Sequence, residues 1–189
     1  SDWSHEIASA ILPAFLATAE AGLLAAAQDA EVGGMQLPHV IAAAAYAWFD
    51  AANAATASYP LLTTGAANLI ATFGSDEQKA TWLPPMFAGK FAGTMALTEP
   101  DAGSSLADLR TTAAPGKAAG EYLITGTKIW ISGGEHEITD NIVHLVLARI
   151  EGAPAGTKGI SLFIVPKYLL NADGTAGAKN GVVLGGLIH

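Results

Sequence analysis

Cysteine is absent from the 189-residue chain, and charged residues make up only 14% of it. The absence of cysteine excludes disulfide bonds, thiolate metal sites and catalysis by a nucleophilic thiol. Nine lysines and arginines stand against 17 acidic residues, which gives a formal net charge of -8. Because the nine cations are scattered along the chain, they form no basic patch for a phosphate backbone, and we expect no nucleic-acid partner.

Histidine is sparse as well. None of the five histidines has the H-x-x-x-H spacing that places two metal ligands on one face of a helix. We therefore expect no metal site, and a structural role for a histidine is more common than a functional one. The five are His5, His39, His136, His144 and His189.

An uninterrupted apolar run is missing too. Residues 7–27 approach the length of a bilayer span, but they include Pro13, Thr18 and Glu20 and are otherwise mostly alanine. A carboxylate inside a span costs about 3 kcal/mol. We expect a buried helix of a soluble protein and no membrane partner. The start at Ser1 and the apolar end at His189 look cut rather than natural, which suggests a piece of a longer chain.

The chain changes character near residue 92. Before it, alanine dominates and apolar residues recur at helical spacing; after it, short β-branched and aromatic runs are separated by glycine and proline. This order predicts an α+β protein. We expect an N-terminal α-helical domain at residues 1–92 and an antiparallel β domain, incomplete at its end, at residues 93–189.

Four helices are expected in the first part. They cover residues 7–27, residues 38–53, a stretch to residue 74 that Pro60 opens or interrupts, and a last helix that ends or bends at Pro84-Pro85. Ser75 and Gln78 have the spacing of a capping box at the start of that last helix. The second helix has five bulky packing anchors, namely Val40, Ile41, Tyr46, Trp48 and Phe49.

The second part has several strand signals. Residues 122–125 and 128–131 read as two strands about a turn at Gly126. The other predicted strands are 91–97, 142–150, 159–165 and the beginning of one at 181–184.

A polar turn follows the first predicted strand. Within eight residues, from Thr98 to Ser105, it contains a hydroxyl, a carboxylate, Pro100, Gly103 and two serines. Such a turn can direct several N–H groups and hydroxyls at one anionic or polar ligand. The alternative is an ordinary turn whose polar groups satisfy its own backbone.

A second motif runs from Lys128 to Gly134 and contains Trp130, Ile131 and Ser132. A tryptophan face suits an aromatic cofactor. If the segment is a strand, Ser132 points to the same side as Trp130, because side chains alternate. The alternative is a core tryptophan followed by a turn.

Together the two motifs resemble the acyl-CoA dehydrogenases, over about residues 74–165 in matching order and spacing. The residues that carry the resemblance are Gly74-Ser75-Asp76-Glu77-Gln78-Lys79, Trp82-Leu83-Pro84, Leu97-Thr98-Glu99-Pro100-Asp101-Ala102-Gly103-Ser104-Ser105, Gly126-Thr127-Lys128-Ile129-Trp130-Ile131-Ser132 and Lys158-Gly159-Ile160-Ser161-Leu162-Phe163-Ile164-Val165-Pro166.

The resemblance implies that FAD is the cofactor and assigns the site residues. The backbone at Met95, Ala96 and Leu97, with Thr98, would bind the pyrimidine end of the flavin. Gly103 would belong to the cofactor-binding set, and Ser104 would contact the pyrophosphate and the acyl-CoA substrate as well. Trp130, Ile131 and Ser132 would flank the isoalloxazine ring, with Ser132 near N5. Glu99 would be a structural residue of the turn.

The implied reaction is α,β-dehydrogenation of an acyl-CoA thioester to the trans-2-enoyl-CoA, as in fatty-acid β-oxidation, with electrons passed to an electron-transfer flavoprotein. The family's catalytic glutamate lies in a C-terminal helical bundle that we expect to be absent here, so no catalytic residue is assigned. The resemblance implies a homo-oligomer in the cytoplasm, or in the mitochondrial matrix of a eukaryote. The alternatives are an acyl-CoA oxidase and a non-enzymatic flavoprotein homologue.

The stretch from Gly133 to His144 is longer and more charged than is usual in the family. In this it looks like the subgroup of the 3-methylmercaptopropionyl-CoA dehydrogenases. The alternative is loop variation without meaning for the substrate. His136 and Glu137 of this stretch could contact another domain.

Overall fold

The computed structural model describes residues 3–186, with side chains from Ala8 onward. Within this range the chain forms helices followed by strands, which confirms the α+β class. The α-helices are α1 (Trp3–Glu20), α2 (His39–Phe73) and α3 (Asp76–Phe87). The strands are β1 (Phe91–Ala96), β2 (Thr112–Pro115), β3 (Tyr122–Thr125), β4 (Asn141–Ile150), β5 (Ile160–Pro166), β6 (Tyr168–Leu170) and β7 (Ala176–Lys179).

The first helix is shorter than expected. It ends at Glu20 instead of reaching Ala27, and the chain continues into a 3-10 turn at Leu23–Ala25. Gly22 has a left-handed conformation with a φ of 72°, and its N–H donates to the Ala19 carbonyl at 2.8 Å. Glycine adopts this conformation readily and so ends helices.

The second and third predicted helices are one long element, α2, with a kink at Asn53. The kink coincides with the predicted end of the second helix at residue 53, whereas Pro60 lies inside the second half and does not open it as expected. The Asn53 Oδ1 accepts a hydrogen bond from the Thr56 N–H at 3.0 Å. A short polar side chain in this position caps the following turns, and the helix therefore restarts there.

Tyr46 is the one bulky anchor of α2 that is buried, and its hydroxyl donates to the Leu23 carbonyl at 3.2 Å. The prediction that the other four are packing anchors was wrong, because they are exposed; Trp48 keeps 80% of its surface open. An alanine-rich helix has no clear polar face, so periodicity does not show which side is covered. The four exposed anchors are Val40, Ile41, Trp48 and Phe49.

The capping box of α3 is confirmed. The Ser75 Oγ accepts from the Gln78 N–H at 3.2 Å, and the Gln78 Oε1 accepts from the Ser75 N–H at 2.9 Å. The helix does not end at Pro84-Pro85 but continues to Phe87. Both prolines lie in its last turns, and the Ala88 N–H still reaches the Pro84 carbonyl at 3.0 Å.

The main sheet has β4 at its centre. One edge of β4 pairs with β5, and the other pairs first with β1 and then, at Arg149 and Ile150, with β2. The pairings of β4 with β1 and β2 are parallel, so the sheet is mixed and not purely antiparallel as expected. Parallel neighbours need long connections, and short-range turn signals do not reveal them.

Two predicted strands are not formed. Residues 128–131 have no strand structure, and β3 pairs with β2 instead. Residues 181–184 have no strand structure either. The predicted strands at 91–97, 142–150 and 159–165 correspond to β1, β4 and β5. The sequence did not indicate the separate two-stranded pair of β6 and β7.

The helices and the sheet share a core. At Gly93 of β1, an added Cβ would lie 2.6 Å from the Ala66 Cβ of α2, so glycine permits this close approach. No helix among the described residues is long and apolar enough to cross a membrane. The division at residue 92 stays a prediction. The shared core consists of Ala66, Ala67, Ile70, Leu83, Met86, Phe91, Val143 and Leu145.

Candidate functional site

The polar turn occupies the gap between β1 and β2, which lie one after the other along the same edge of β4. The Glu99 N–H donates to the Ala102 carbonyl at 2.8 Å, and the Ala102 N–H returns a bond to the Glu99 carbonyl at 3.2 Å. This tight turn leaves Pro100 and Asp101 exposed while Ala102 is buried. The sheet edge therefore holds both ends of the turn and presents its tip outward.

Glu99 ties the turn to the rest of the site. Its carboxylate accepts from the Arg110 N–H at 2.7 Å, from the Thr111 N–H at 3.0 Å and from the Thr111 Oγ1 at 2.5 Å. It also forms an ion pair with the Lys128 Nζ at 2.8 Å, and both side chains are buried. These bonds account for a structural role of Glu99, as the resemblance implied.

The pKa of Glu99 is lowered to about 2. Burial alone would raise this pKa, because it disfavours the charged carboxylate. The hydrogen bonds from Lys128, Thr111 and the backbone outweigh burial, because each of them favours the ionised form.

The two sequence motifs are neighbours in space. The Ile129 N–H donates to the Thr98 carbonyl at 2.9 Å, and the Lys128 Nζ donates to the Leu97 carbonyl at 3.2 Å. The main chain at residues 97–98 and the segment at residues 128–132 therefore form one continuous surface. We call this surface the two-motif wall.

Trp130 departs from the expected geometry. It has a φ of 59° and keeps 64% of its surface exposed. The expectation that Trp130 and Ser132 share one side of a strand was therefore wrong in its premise, because the segment has no partner strand. A bulky residue in the left-handed region carries backbone strain of about 1–3 kcal/mol, and such strain is concentrated at functional sites.

The other predicted site residues differ in exposure. Ala96 is buried, and Gly103, Ser104 and Ser132 are exposed. Among the described residues, no hydrogen bond joins Gly103 or Ser104 to the 128–132 segment. The half-buried members are Met95, Leu97, Thr98 and Ile131.

A buried polar cluster beside this wall was missed by the sequence reasoning. The His144 Nδ1 lies 2.7 Å from the Thr94 Oγ1. The His136 Nδ1 accepts from the Ile138 N–H at 3.2 Å, and Lys167 pairs with Glu135. The eight-residue separation of His136 and His144 does not predict that they lie near each other, because their distance depends on the path of the loop between them.

Both histidines resist protonation. The pKa of each is lowered from 6.5 to about 4, and burial is the largest cause for both. At His136 the positive charge of Lys167 lowers the pKa further and Glu135 partly offsets it, whereas at His144 the opposing effect of Glu135 is larger than that of Lys167. Their buried Nε2 atoms have no hydrogen-bond partner among the described residues. No group of three or more potential metal ligands occurs among the described residues.

Two family models cover nearly the whole chain. The N-terminal domain of acyl-CoA dehydrogenase matches residues 2–90, and the middle domain of acyl-CoA dehydrogenase matches residues 94–182. The chain belongs to the acyl-CoA dehydrogenase family. The resemblance inferred from the two motifs is thereby confirmed.

Curated members of the acyl-CoA dehydrogenase family give closer comparisons. The chain is 49% identical over 151 residues to the 3-methylmercaptopropionyl-CoA dehydrogenase of Ruegeria pomeroyi, covering 80% of this chain and 26% of the relative. It is 39% identical over 176 residues to a butyryl-CoA dehydrogenase of Syntrophomonas wolfei, covering 93% of this chain and 29% of the relative. The chain thus spans less than a third of the length of these two relatives.

A solved member of the family has the same fold. It is the acyl-CoA dehydrogenase of Bacillus anthracis complexed with FAD, with a TM-score of 0.73 and 31% identity. The match covers 87% of this chain and 27% of that one.

Proposed function

We propose that the protein is an FAD-dependent acyl-CoA dehydrogenase and that the two-motif wall forms one side of its flavin site. The observation that carries the proposal is the junction of the wall, where the Ile129 N–H donates to the Thr98 carbonyl at 2.9 Å. It joins a polar turn to an exposed tryptophan, and neither motif alone is specific for a flavin.

The residues of the wall fit a flavin. Trp130 offers an exposed aromatic face, which suits a planar ring system. Ser132 offers an exposed hydroxyl and Thr98 a half-buried one, and both can donate hydrogen bonds to ring heteroatoms. Ser104, two residues after the tight turn, is exposed and would contact the pyrophosphate and the acyl-CoA. The backbone of Met95, Ala96 and Leu97, with Gly103 and Ile131, completes the proposed set.

When bound, FAD would supply the hydride acceptor for α,β-dehydrogenation of an acyl-CoA thioester to the trans-2-enoyl-CoA. The described residues orient and bind, and we assign none of them as the catalytic base. Hydrogen bonds from Thr98 and Ser132 favour a more electron-rich ring, because hydrogen-bond donors stabilise negative charge. The ion pair of Glu99 with Lys128 links the two segments that carry these donors.

We further propose that a 3-methylmercaptopropionyl-CoA-like or short-chain acyl-CoA is the substrate. The names of the two relatives and the charged stretch after Gly133 support this substrate class. Transfer of electrons to an electron-transfer flavoprotein, a homo-oligomer and a cytoplasmic location follow from the family resemblance. The division into a helical domain at residues 1–92 and a β domain at residues 93–189 belongs to the same proposal.

The test replaces each hydroxyl in the protein with its natural termini. Thr98→Ala and Ser132→Ala should each slow flavin reduction by an acyl-CoA by about 5- to 150-fold, which corresponds to a lost bond to a charged group of about 1–3 kcal/mol. Thr72→Ala is the matched control, because this exposed hydroxyl lies on α2 and bonds only the Asn68 carbonyl at 2.8 Å. Unchanged rates in both site variants would place the flavin elsewhere.

The same anaerobic titration distinguishes the electron acceptor. After reduction by the acyl-CoA, air is admitted and peroxide is measured. Slow reoxidation supports the dehydrogenase, and rapid peroxide formation supports an acyl-CoA oxidase instead. Protein that binds FAD but is not reduced by any acyl-CoA would support a non-enzymatic flavoprotein homologue.

A further inference from the structure

The buried polar cluster includes two residues of the loop that directly follows the 128–132 segment. It contains Thr94 of β1, His144 of β4, Lys167 after β5, and Glu135 and His136 of the loop at residues 133–140. We call it the histidine cluster. None of its members belongs to the two-motif wall, and the proposed reaction uses none of them.

Hydrogen bonding determines the tautomer of His136. Its Nδ1 accepts the Ile138 N–H at 3.2 Å and so carries no proton. The neutral ring must then hold its proton on Nε2. Protonation of His136 would place a proton on Nδ1 and turn the bond from Ile138 into a contact between two donors. The loop geometry therefore requires the neutral ring.

The charge of Lys167 favours the neutral state of His136 as well. The ammonium of Lys167, a residue only 6% exposed, pairs with Glu135 and donates to the His136 carbonyl at 3.1 Å. A second positive charge on His136 or His144 would lie near this ammonium in a buried environment. Burial is the first cause of the lowered pKa of both histidines; this repulsion is the second cause at His136, whereas at His144 the attraction of Glu135 outweighs it.

Polar and titratable groups from several elements face the cluster. From α2, the ring of Tyr59 meets His136 edge-on with centroids 5.4 Å apart. Thr94 faces from β1 at 2.7 Å from His144. On the loop, Glu137 and Asp140 line an open cleft of about 340 Å³ beside His136 and Lys167.

The loop connects the cluster to the wall. Gly133, with a φ of 60°, follows Ser132 directly, and a Cβ there would lie 3.4 Å from the Tyr59 ring. The Gly134 N–H donates back to the Ile131 carbonyl at 3.2 Å. Farther along, Ile138 is buried in the apolar cluster that includes Phe15 and Leu24. The loop is thus fixed at its start, at His136 and at Ile138.

We propose that His136 is a positioning residue which, as a neutral buried ring, holds the 133–140 loop and thereby Trp130 and Ser132, and that protonation of His136 and of the nearby buried His144 releases this segment in acid. The effect on FAD rests on the proposed function, whereas the effect on the loop does not.

The direction of the pH dependence follows from linkage. A histidine with a pKa of about 4 in the closed loop and an ordinary value of about 6.5 in the open loop binds its proton in the open form. The closed loop is then fully favoured above about pH 6.5 and loses this advantage as the pH falls toward 4. One such histidine makes opening about 50-fold more favourable at about pH 4.5 than at neutral pH.

The primary test measures hydrogen exchange of peptides covering residues 131–138 as a function of pH, in the protein with its natural termini. After correction for intrinsic rates, protection should fall by at least about 50-fold, the value for one histidine, between about pH 7 and pH 4.5 in the unmodified protein. A flat profile would overturn the proposal. This readout requires no flavin.

The variants are His136→Asn and His144→Asn. Asparagine can still accept from the Ile138 N–H or bond to Thr94, but it does not titrate in this range. In the double variant the acid-dependent loss of protection should vanish. The matched control is His39→Asn, because His39 is exposed at the start of α2, and its profile should equal that of the parent protein. Persistence of the acid response in the double variant would contradict the proposal.

Two further measurements distinguish a failure of the positioning role from a failure of the proposed function. FAD retention against pH should follow the same transition; retention that is identical in parent and double variant refutes the positioning role while leaving the proposed function intact. Protein that shows the loop transition but never binds FAD refutes the proposed function alone. If the variants fail to fold, NMR titration of the parent decides, because ring signals of His136 and His144 that titrate near 6.5 would overturn the proposal.

Discussion

The ion pair between Glu99 and Lys128 is expected to be the strongest single polar contribution to the wall. Its Oε1 and Nζ atoms are 2.8 Å apart, and only 7% and 10% of the two side chains are exposed. Glu99→Gln removes the charge and leaves the buried ammonium with the Leu97 carbonyl at 3.2 Å as its other acceptor. Breaking a buried pair in this way costs about 3–5 kcal/mol, and we expect a loss of about 3 kcal/mol.

Removing the charge of the partner, Lys128, should lower the free energy of unfolding by less. In Lys128→Met the Glu99 carboxylate keeps two backbone N–H donors and the Thr111 hydroxyl, so the remaining charge stays solvated by hydrogen bonds. We expect a loss of about 1–2 kcal/mol. The double variant should lose less than the sum by about 1–2 kcal/mol, because the second change removes a group that the first left unpaired.

Urea unfolding near neutral pH measures all three variants. The matched control is Asp101→Asn, which removes the pair between Asp101 and Arg110 at 3.0 Å, whose side chains are 66% and 78% exposed. An exposed pair contributes about 0–1 kcal/mol. The reasoning is refuted if Glu99→Gln is no more costly than Asp101→Asn, or if the double-variant cycle shows additivity.

Three smaller predictions use the same unfolding assay. Gly93→Ala should cost about 1–3 kcal/mol, because its Cβ would lie 2.6 Å from the Ala66 Cβ; Gly65→Ala has no atom within 4 Å and should stabilise α2 by about 1 kcal/mol. Ser75→Ala removes the cap of α3 and should cost about 1 kcal/mol; no loss would contradict its capping role. Because the pKa of Glu99 is lowered from 4.5 to about 2, its contribution is present above about pH 4.5 and is lost as the pH falls toward 2.

Local chemistry explains which elements the sequence revealed. The capping box at Ser75 and Gln78 depends on two side chains three residues apart. The run of branched residues in β4 is long enough to predict a strand from the sequence alone. Such signals lie within one segment. The α+β order follows from their succession, and two motifs in fixed order were specific enough to indicate the family.

Contacts between segments that are distant in the chain could not be predicted from the sequence. Residues 128–131 have apolar residues at strand spacing, yet their main partner is the Thr98 carbonyl and not a strand, and Trp130 takes a positive φ. The exposed face of α2 at Trp48 and the meeting of His136 with His144 depend likewise on what packs nearby. Periodicity records local preference, and tertiary packing decides the rest.

The central claim is that the two-motif wall holds the flavin. Its most direct test is a crystal structure of the protein, with its natural termini, bound to FAD. The account predicts that the isoalloxazine ring packs beside Trp130, with hydrogen bonds from Thr98 and Ser132 to the ring. A flavin bound away from the junction of Thr98 and Ile129, with Trp130 still in solvent, would contradict the account.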